Sequence, residues 1–251
     1  MVKISIVLIC KNEVDVIGRT LKSLEGITDD IIVYDSGSTD GTQQFVKQFG
    51  VNLQEGKWEG FGKAKNTANQ FAKYDWVLNL DADEAIDEEL KKSILACDLS
   101  NDKLVYDLWY KNFLGEKHLK YGEWGRDHHI RLFNHKAMQW QNEPVHEKLV
   151  LPDNVIIKEL KGFVLHYTMK DIDDYSRKMR NYAMLNAEKY FRQGKKSSWI
   201  KLRVSPTFAF LTYFIFKRGF LDGHLGYVSA KMTAYYTFLK YARLKELNQA
   251  K

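Results

Sequence analysis

Cysteine is scarce in this chain: Cys10 and Cys97 are all it has in 251 residues. Two unpatterned thiols exclude a disulfide scaffold and fit a reducing cytoplasm. Cys10 ends an apolar stretch and reads as a small buried hydrophobe. Long apolar runs are missing too. The longest, Phe208 to Phe216 (FAFLTYFIF), is too short to span a bilayer, and Lys217 and Arg218 follow it at once. The opening MVKISIVLIC enters a strand immediately and has no small-residue cleavage site, so no signal peptide is expected. No dense basic block exists: 38 Lys and Arg against 32 Asp and Glu leave a formal charge of +6. That balance mildly favours anionic partners and does not indicate nucleic acid. There is no internal repeat, no low-complexity segment and no GxGxxG, so a dinucleotide fingerprint is absent while a mononucleotide stays open.

What the chain does have is an ordinary soluble composition and a patterned first half. Lys3–Cys10, Ile31–Tyr34, Val51–Gln54 and Trp76–Leu80 are short runs rich in Val, Ile and Leu. Between them Asp15–Leu24, Thr42–Phe49 and Lys63–Lys73 carry apolar residues at helical spacing. Strands alternating with helices of this length predict βαβ units and a mostly parallel sheet covered on both faces. The fold class is therefore α/β. Beyond residue 100 the pattern shifts to aromatic-rich strand candidates, Val105–Tyr110, His129–Asn134 and Val155–Val164. From Asp171 onward the chain reads as helical, with Asp171 as a cap, Gly194 as a stop and Pro206 dividing two aromatic helices. Gly219, Gly223 and Gly226 mark a further break. Residues 1–168 are expected to form the main domain, with halves 1–100 and 101–168, and residues 169–251 a helical extension.

Parallel sheets bind ligands beyond the carboxyl ends of their strands, and polar clusters follow each of the first four. Lys11, Asn12 and Glu13 follow the first, and Asp35-Ser-Gly-Ser-Thr-Asp40-Gly follows the second. Ser38 and Asp40 suit helix capping, whereas Asp35 stands at the strand tip, where it can accept from a ribose hydroxyl or a base. Gly60-Phe-Gly62-Lys63-Ala-Lys65-Asn66 joins a close-approaching backbone to two cations, which suits a diphosphate or, more simply, a solvated lysine pair. The fourth exit is WVLNLDADE, in which buried apolar residues end in Asp81, Asp83 and Glu84. Carboxylates so close repel unless something positive sits among them. Two of them one residue apart at a strand end suit Mg²⁺ or Mn²⁺, which share coordination with substrate phosphates. Glu84 has no assignment; it points outward or starts the next helix.

The combination NE, DSGSTDG, GKAKN and LDADE resembles the family 2 inverting glycosyltransferases of GT-A fold over residues 1 to about 100. Arg131-Leu-Phe, Val145-His-Glu147 and the tail FLDGHLGYVSAKMTAYYTFLKYARL look like the lipopolysaccharide-core glucosyltransferase subgroup. The resemblance implies a nucleotide-diphosphate sugar donor (UDP preferred), a divalent cation on its phosphates, and direct displacement with inversion at the sugar. By that match Ile9, Lys11, Asn12, Glu13 and Asp35 hold the nucleotide, and Lys63 falls on the diphosphate side. Asp83 is the main metal carboxylate, and Asp81 lies on the ribose or beside the metal. His146 either completes the metal site or orients the diphosphate, or is a satisfied structural histidine.

The family usually takes its base from a Glu-Asp pair in the second half, and no such dipeptide occurs here after residue 100. Asp127, four residues before Arg131, is the preferred candidate, with Glu143 and Glu147 as the others. His128 and His129 alternate faces on a strand, so at most one points into a cleft; His166 reads as structural. The aromatic and basic tail either packs on its own domain or rests on the inner-membrane surface, bringing the enzyme to a glycolipid or other glycan acceptor. Two other readings stay open: a sugar-nucleotide nucleotidyltransferase, whose usual glycine-rich loop after the first strand is missing, and a nucleotide-sugar-binding module without activity.

Overall fold

A computed structural model of the chain describes residues 2–142 and 148–250. In chain order its elements are β1 (Ser5–Cys10), α1 (Ile17–Ser23), β2 (Ile31–Asp35), α2 (Thr42–Val46), β3 (Asn52–Glu55), α3 (Phe61–Asn69), β4 (Trp76–Asp81), β5 (Glu84–Ile86) and α4 (Glu88–Leu95). There follow β6 (Leu104–Leu114), β7 (Lys117–Leu119), β8 (His128–Asn134), β9 (Gln139–Trp140), β10 (Leu149–Val150) and β11 (Ile156–Met169). The helices α5 (Ile172–Arg192), α6 (Trp199–Leu211) and α7 (Gly223–Gln249) complete the chain.

Among the described residues nine strands share one sheet, in the order β3-β2-β1-β4-β8-β6-β11-β5, with β7 on β6. The first four are parallel, as the βαβ pattern predicts, and β8 onward adds antiparallel strands to the edge of β4. β1 is buried along its whole length, which is why it reads as a continuous apolar run rather than an alternating one. Ile4, Ile6, Leu8, Leu78 and Leu80 fill one face with α1 and α4, and Val7, Ile32, Val77 and Phe133 fill the other with α3. Each such side chain contributes about 1.5–3 kcal/mol by leaving water.

The chain forms two compact units. One comprises residues 1–110 and 127–167, the other 111–126 and 168–251. In the second, Asp171 caps α5 by accepting from the Asp174 N–H at 2.8 Å, and Gly194, with φ of 71°, follows its end. Asp222 accepts from the backbone N–H groups of Lys120 and Tyr121, and Trp124 donates to the Tyr175 hydroxyl at 3.2 Å, tying segment 111–126 to these helices. Pro206 does not divide two helices: it lies inside α6. The break expected around Gly219 and Gly223 is present at residues 217–222, where Arg218 takes a left-handed φ of 58° and Gly223 opens α7, whereas Gly226 lies within α7. A proline costs a helix one hydrogen bond and a bend, which α6 tolerates within a single run. No helix among the described residues is long and apolar enough to cross a membrane.

Candidate active site

The parallel register carries two of the expected aspartates to one edge. Cys10 at the end of β1 stands opposite Asp35 of β2, and Ile9 stands opposite Asp81 of β4. Asp35 is fully buried. Its Oδ2 accepts from the Gly37 N–H at 3.0 Å, the Ser38 N–H at 2.9 Å and Gln43 Nε2 at 2.7 Å, and its Oδ1 accepts from the Ser38 hydroxyl. Burial pushes the Asp35 carboxyl up, but the hydrogen bonds from Ser38 and Gln43 outweigh it and hold the group below the usual carboxylate range. The loops after β1 and β2 latch together. The Asn12 N–H donates to Ser38 Oγ, Asn12 Oδ1 accepts from the Thr39 N–H, and the Glu13 N–H donates to Thr42 Oγ1. Asn12 adopts a φ of 59°, which Asn tolerates better than most residues. Asp40 accepts from the Thr42 N–H, the capping role expected of it, and also from Val14. Lys11 is exposed.

The two lysines of GKAKN part company. Lys63 is exposed and pairs with Glu59 one turn earlier. Lys65 is buried, with its Nζ 3.3 Å from Asp81 Oδ1 and 5.0 Å from the centre of the Trp140 ring. Helical geometry explains the split, since residues two apart point to different sides of α3.

Glu84 does not point outward. It is 1% exposed, its Oε2 accepts from the Asp81 N–H at 2.9 Å, and its Oε1 stands 3.1 Å from Arg131 Nη2. Arg131 comes from β8, donates from Nε to the Tyr110 hydroxyl at 2.8 Å, and reaches Asp81 Oδ2 at 3.6 Å. Asp81 thus lies between two protein cations. Burial raises its carboxyl, and Lys65 and Arg131 bring it below the usual range. Burial leaves Glu84 above its usual range even beside Arg131.

Asp83 has a different neighbour. His166 Nε2 of β11 lies 3.6 Å from Asp83 Oδ2, and the Tyr167 N–H donates to the Asp83 carbonyl at 2.9 Å. Burial disfavours a charged imidazole, but Asp83 more than offsets it and raises the pKa of His166. His166, read from the sequence as structural, thus stands beside the carboxylate expected to hold a metal. The signal was not local: β11 pairs antiparallel with β5, setting His166 opposite Glu84 across more than eighty residues of chain.

On β8 the alternation separates the two histidines. His128 Nδ1 lies 2.6 Å from Asp107, whereas His129 Nε2 lies 2.8 Å from Asp127 Oδ1. Asp127, His129 and Arg131 fall on one side of the chain, and the His129 and His166 rings both approach Tyr110, at 5.0 and 6.0 Å between centroids. The structure accordingly brings together Ile9, Asp35, Asp81, Asp83, Arg131 and His166, with Asp127 joined to them through His129 and Tyr110. Glu143, His146 and Glu147 lie outside the described residues.

A divalent cation can be tested against this donor set. Among the described residues no three His, Cys, Asp or Glu side chains gather into a ready-made site. Asp83 and His166 supply an oxygen and a nitrogen donor side by side, and the Asp81 carboxylate, ion-paired with Lys65 and Arg131, stands near them. Such an incomplete set fits a cation that takes its remaining ligands from substrate phosphates. The imidazole favours Mn²⁺ over Mg²⁺. A hollow of about 700 Å³ bordered by Lys3, Tyr74, Asp102 and Asn134 opens at the opposite, amino end of β4 and includes none of these residues.

Comparison with known proteins bears on the family of the chain. The model of glycosyl transferase family 2 matches residues 5–150. An uncharacterized glycosyltransferase of Rickettsia typhi is 32% identical over 260 residues, covering 99% of this chain and 88% of its own. The lipopolysaccharide core biosynthesis glycosyltransferase LpsC of Rhizobium meliloti is 26% identical over 259 residues, covering 99% and 94%. Among solved structures, S. aureus TarS 1-349 in complex with UDP aligns over 99% of this chain and 91% of its own, at 18% identity and a TM-score of 0.49. With the family model spanning more than half of its residues and a relative of that identity spanning nearly all of them, the chain is a glycosyltransferase and belongs to glycosyl transferase family 2.

Proposed function

We propose that the enzyme moves a hexose, such as glucose, from a UDP-sugar to a hydroxyl of a lipopolysaccharide-core or other glycolipid or glycan acceptor, with inversion and with a divalent cation. The observation that carries this reading is the pairing of Asp83 with His166 beside an Asp81 already neutralised by Lys65 and Arg131. The name of the Rhizobium relative, which spans nearly the whole chain, supports the acceptor class. The UDP preference rests on the resemblance of the first hundred residues.

In this reading the latched loops, with Ile9, Lys11, Asn12, Glu13 and Asp35, receive the nucleotide. Lys63 exchanges Glu59 for a donor phosphate, at a cost of at most about 1 kcal/mol because exposed ion pairs are weak. Asp83 and His166 would hold the cation, with Asp81 beside them, and a cation bound there would supply Lewis-acid stabilisation of the diphosphate leaving group. Asp127 takes the proton of the acceptor hydroxyl as that oxygen bonds to the anomeric carbon and the bond to the diphosphate oxygen breaks. His129 keeps the Asp127 carboxylate oriented. Arg131 and Glu84 hold the end of β4 rigid, so the carboxylates need no reorganisation as charge develops.

The test is UDP release from a panel of UDP-sugars with Mn²⁺, with and without a lipopolysaccharide-core acceptor. Acceptor-stimulated release that vanishes in Asp127→Asn is expected. Release of pyrophosphate from a nucleoside triphosphate and a sugar phosphate, with no UDP formed, would overturn the reading.

A further inference from the structure

α6 lacks the outward polar face that a surface helix normally presents. None of its residues is buried by the chain, yet Ile200, Val204 and Phe208 are 66%, 57% and 65% exposed. They recur every four residues, and Leu211 and Ile215 continue the same stripe. Phe216, 74% exposed, with Phe220 and Leu221 extends the apolar surface across the following turn. Another side of the helix meets its own chain: Phe210, and Phe214 just beyond α6, pack on Tyr227 of α7, each 5.8 Å between ring centroids. A helix with apolar residues on two sides is ordinarily covered on both. This one is covered by its own chain on one side only.

Charge identifies what covers the other. Between Gly194 and Leu221 the chain carries Lys195, Lys196, Lys201, Arg203, Lys217 and Arg218 and no Asp or Glu. Taking those six from the 38 basic residues leaves 32, equal to the 32 acidic ones, so this single segment accounts for the whole formal excess of +6. Helical spacing sets Lys201 on one flank of the apolar stripe and Arg203 on the other, the latter 4.1 Å over the Trp199 ring. An apolar stripe flanked by long cations, with Trp199 exposed in the first turn of the helix, matches the boundary of a bilayer, where stems lie among acyl chains and charged ends reach phosphates. A second protein surface of ordinary mixed charge would leave several of these cations unmatched.

We propose that the outward face of α6 and the turn after it dock on the surface of a bilayer containing anionic lipids, peripherally and without spanning it. This gives a location to the membrane contact expected of an enzyme with a glycolipid acceptor, and it does not depend on the transfer chemistry.

The experiment is co-sedimentation of the full chain with phosphatidylcholine vesicles, with and without phosphatidylglycerol, in the absence of donor and acceptor. Binding to the anionic vesicles that weakens with salt is expected. Ile200→Ser with Phe208→Ser should reduce it about tenfold or more, and Lys201→Gln and Arg203→Gln about fivefold each. Thermal melts of these variants should match the parent, because the side chains removed are exposed. Failure of the parent to bind anionic vesicles at low salt, or equal binding by the serine variant, would overturn the proposal. So would a self-associated species in sedimentation velocity that Phe208→Ser dissolves, which would assign the face to a second copy. An inactive protein that binds vesicles counts against the transfer reading alone.

Discussion

Arg131 Nη2 lies 3.1 Å from Glu84 Oε1, and both residues are buried. The guanidinium is the cation on which the carboxylates at the end of β4 depend, together with Lys65. Removing one partner of a buried pair strands the other charge, which costs about 3–5 kcal/mol. Arg131→Met should therefore destabilise the protein by that amount in urea unfolding, and Glu84→Gln, which keeps a hydrogen-bonding side chain, by about 1–3 kcal/mol. The double variant should be more stable than Arg131→Met. If the two single changes cost the same, the pair is not the cation's main task.

Asp83 and His166 are expected to matter for turnover and little for stability. Asp83→Ala should lower transfer on the order of a hundredfold or more, since losing the cation forfeits several kcal/mol of charge stabilisation. Its melting temperature should stay close to that of the parent. His166→Ala should raise the Mn²⁺ concentration needed for half-maximal activity. A fully active Asp83→Ala enzyme would sink the proposed cation site.

Asp35 sets a pH dependence whose sign is determined. Its folded carboxyl sits below the usual range, so the unfolded chain binds the proton more readily. The stability it contributes is complete above about pH 4 and is lost as pH falls through the lower, folded value. Asp35→Asn should be less stable at neutral pH and should show a shallower loss between neutral pH and acid. Stability curves from parent and variant that run parallel below pH 4 would refute this.

Gly162 makes a demand that no side chain meets. Its φ is 97°, and a Cβ there would lie 2.1 Å from the Leu90 nitrogen and 2.7 Å from Asp87 Oδ1, the oxygen that caps α4. Gly162→Ala should cost about 3 kcal/mol or more, from strain and overpacking together. Gly26, with a φ of 78° and open space around it, separates the two contributions. Gly26→Ala should cost about 1–2 kcal/mol, the conformational part alone.

Local features of the chain were legible because their causes are local. Lys3–Cys10 and Trp76–Leu80 read as buried strands from short runs rich in Val, Ile and Leu, Asp171 and Gly194 bracket α5 by capping chemistry, and Asp40 accepts from the start of α2. Pro206 lies inside α6 because a proline bends a helix and removes one hydrogen bond without always ending it. The partners of Glu84 and His166 were not legible for another reason. An acid three residues after Asp81 looks like a helix start, and a histidine before Asp171 looks like a strand end, until β5 and β11 pair.

By itself, then, the sequence determined that polar residues follow each apolar run of a parallel sheet, because a strand's burial and a cap's hydrogen bonds depend on neighbours in the chain. Only the tertiary structure decided which charge meets which: Arg131 with Glu84, Lys65 rather than Lys63 with Asp81, and His166 with Asp83. Electrostatic interaction depends on distance and burial, not on separation along the chain, so those pairings exist only once the strands have taken their register.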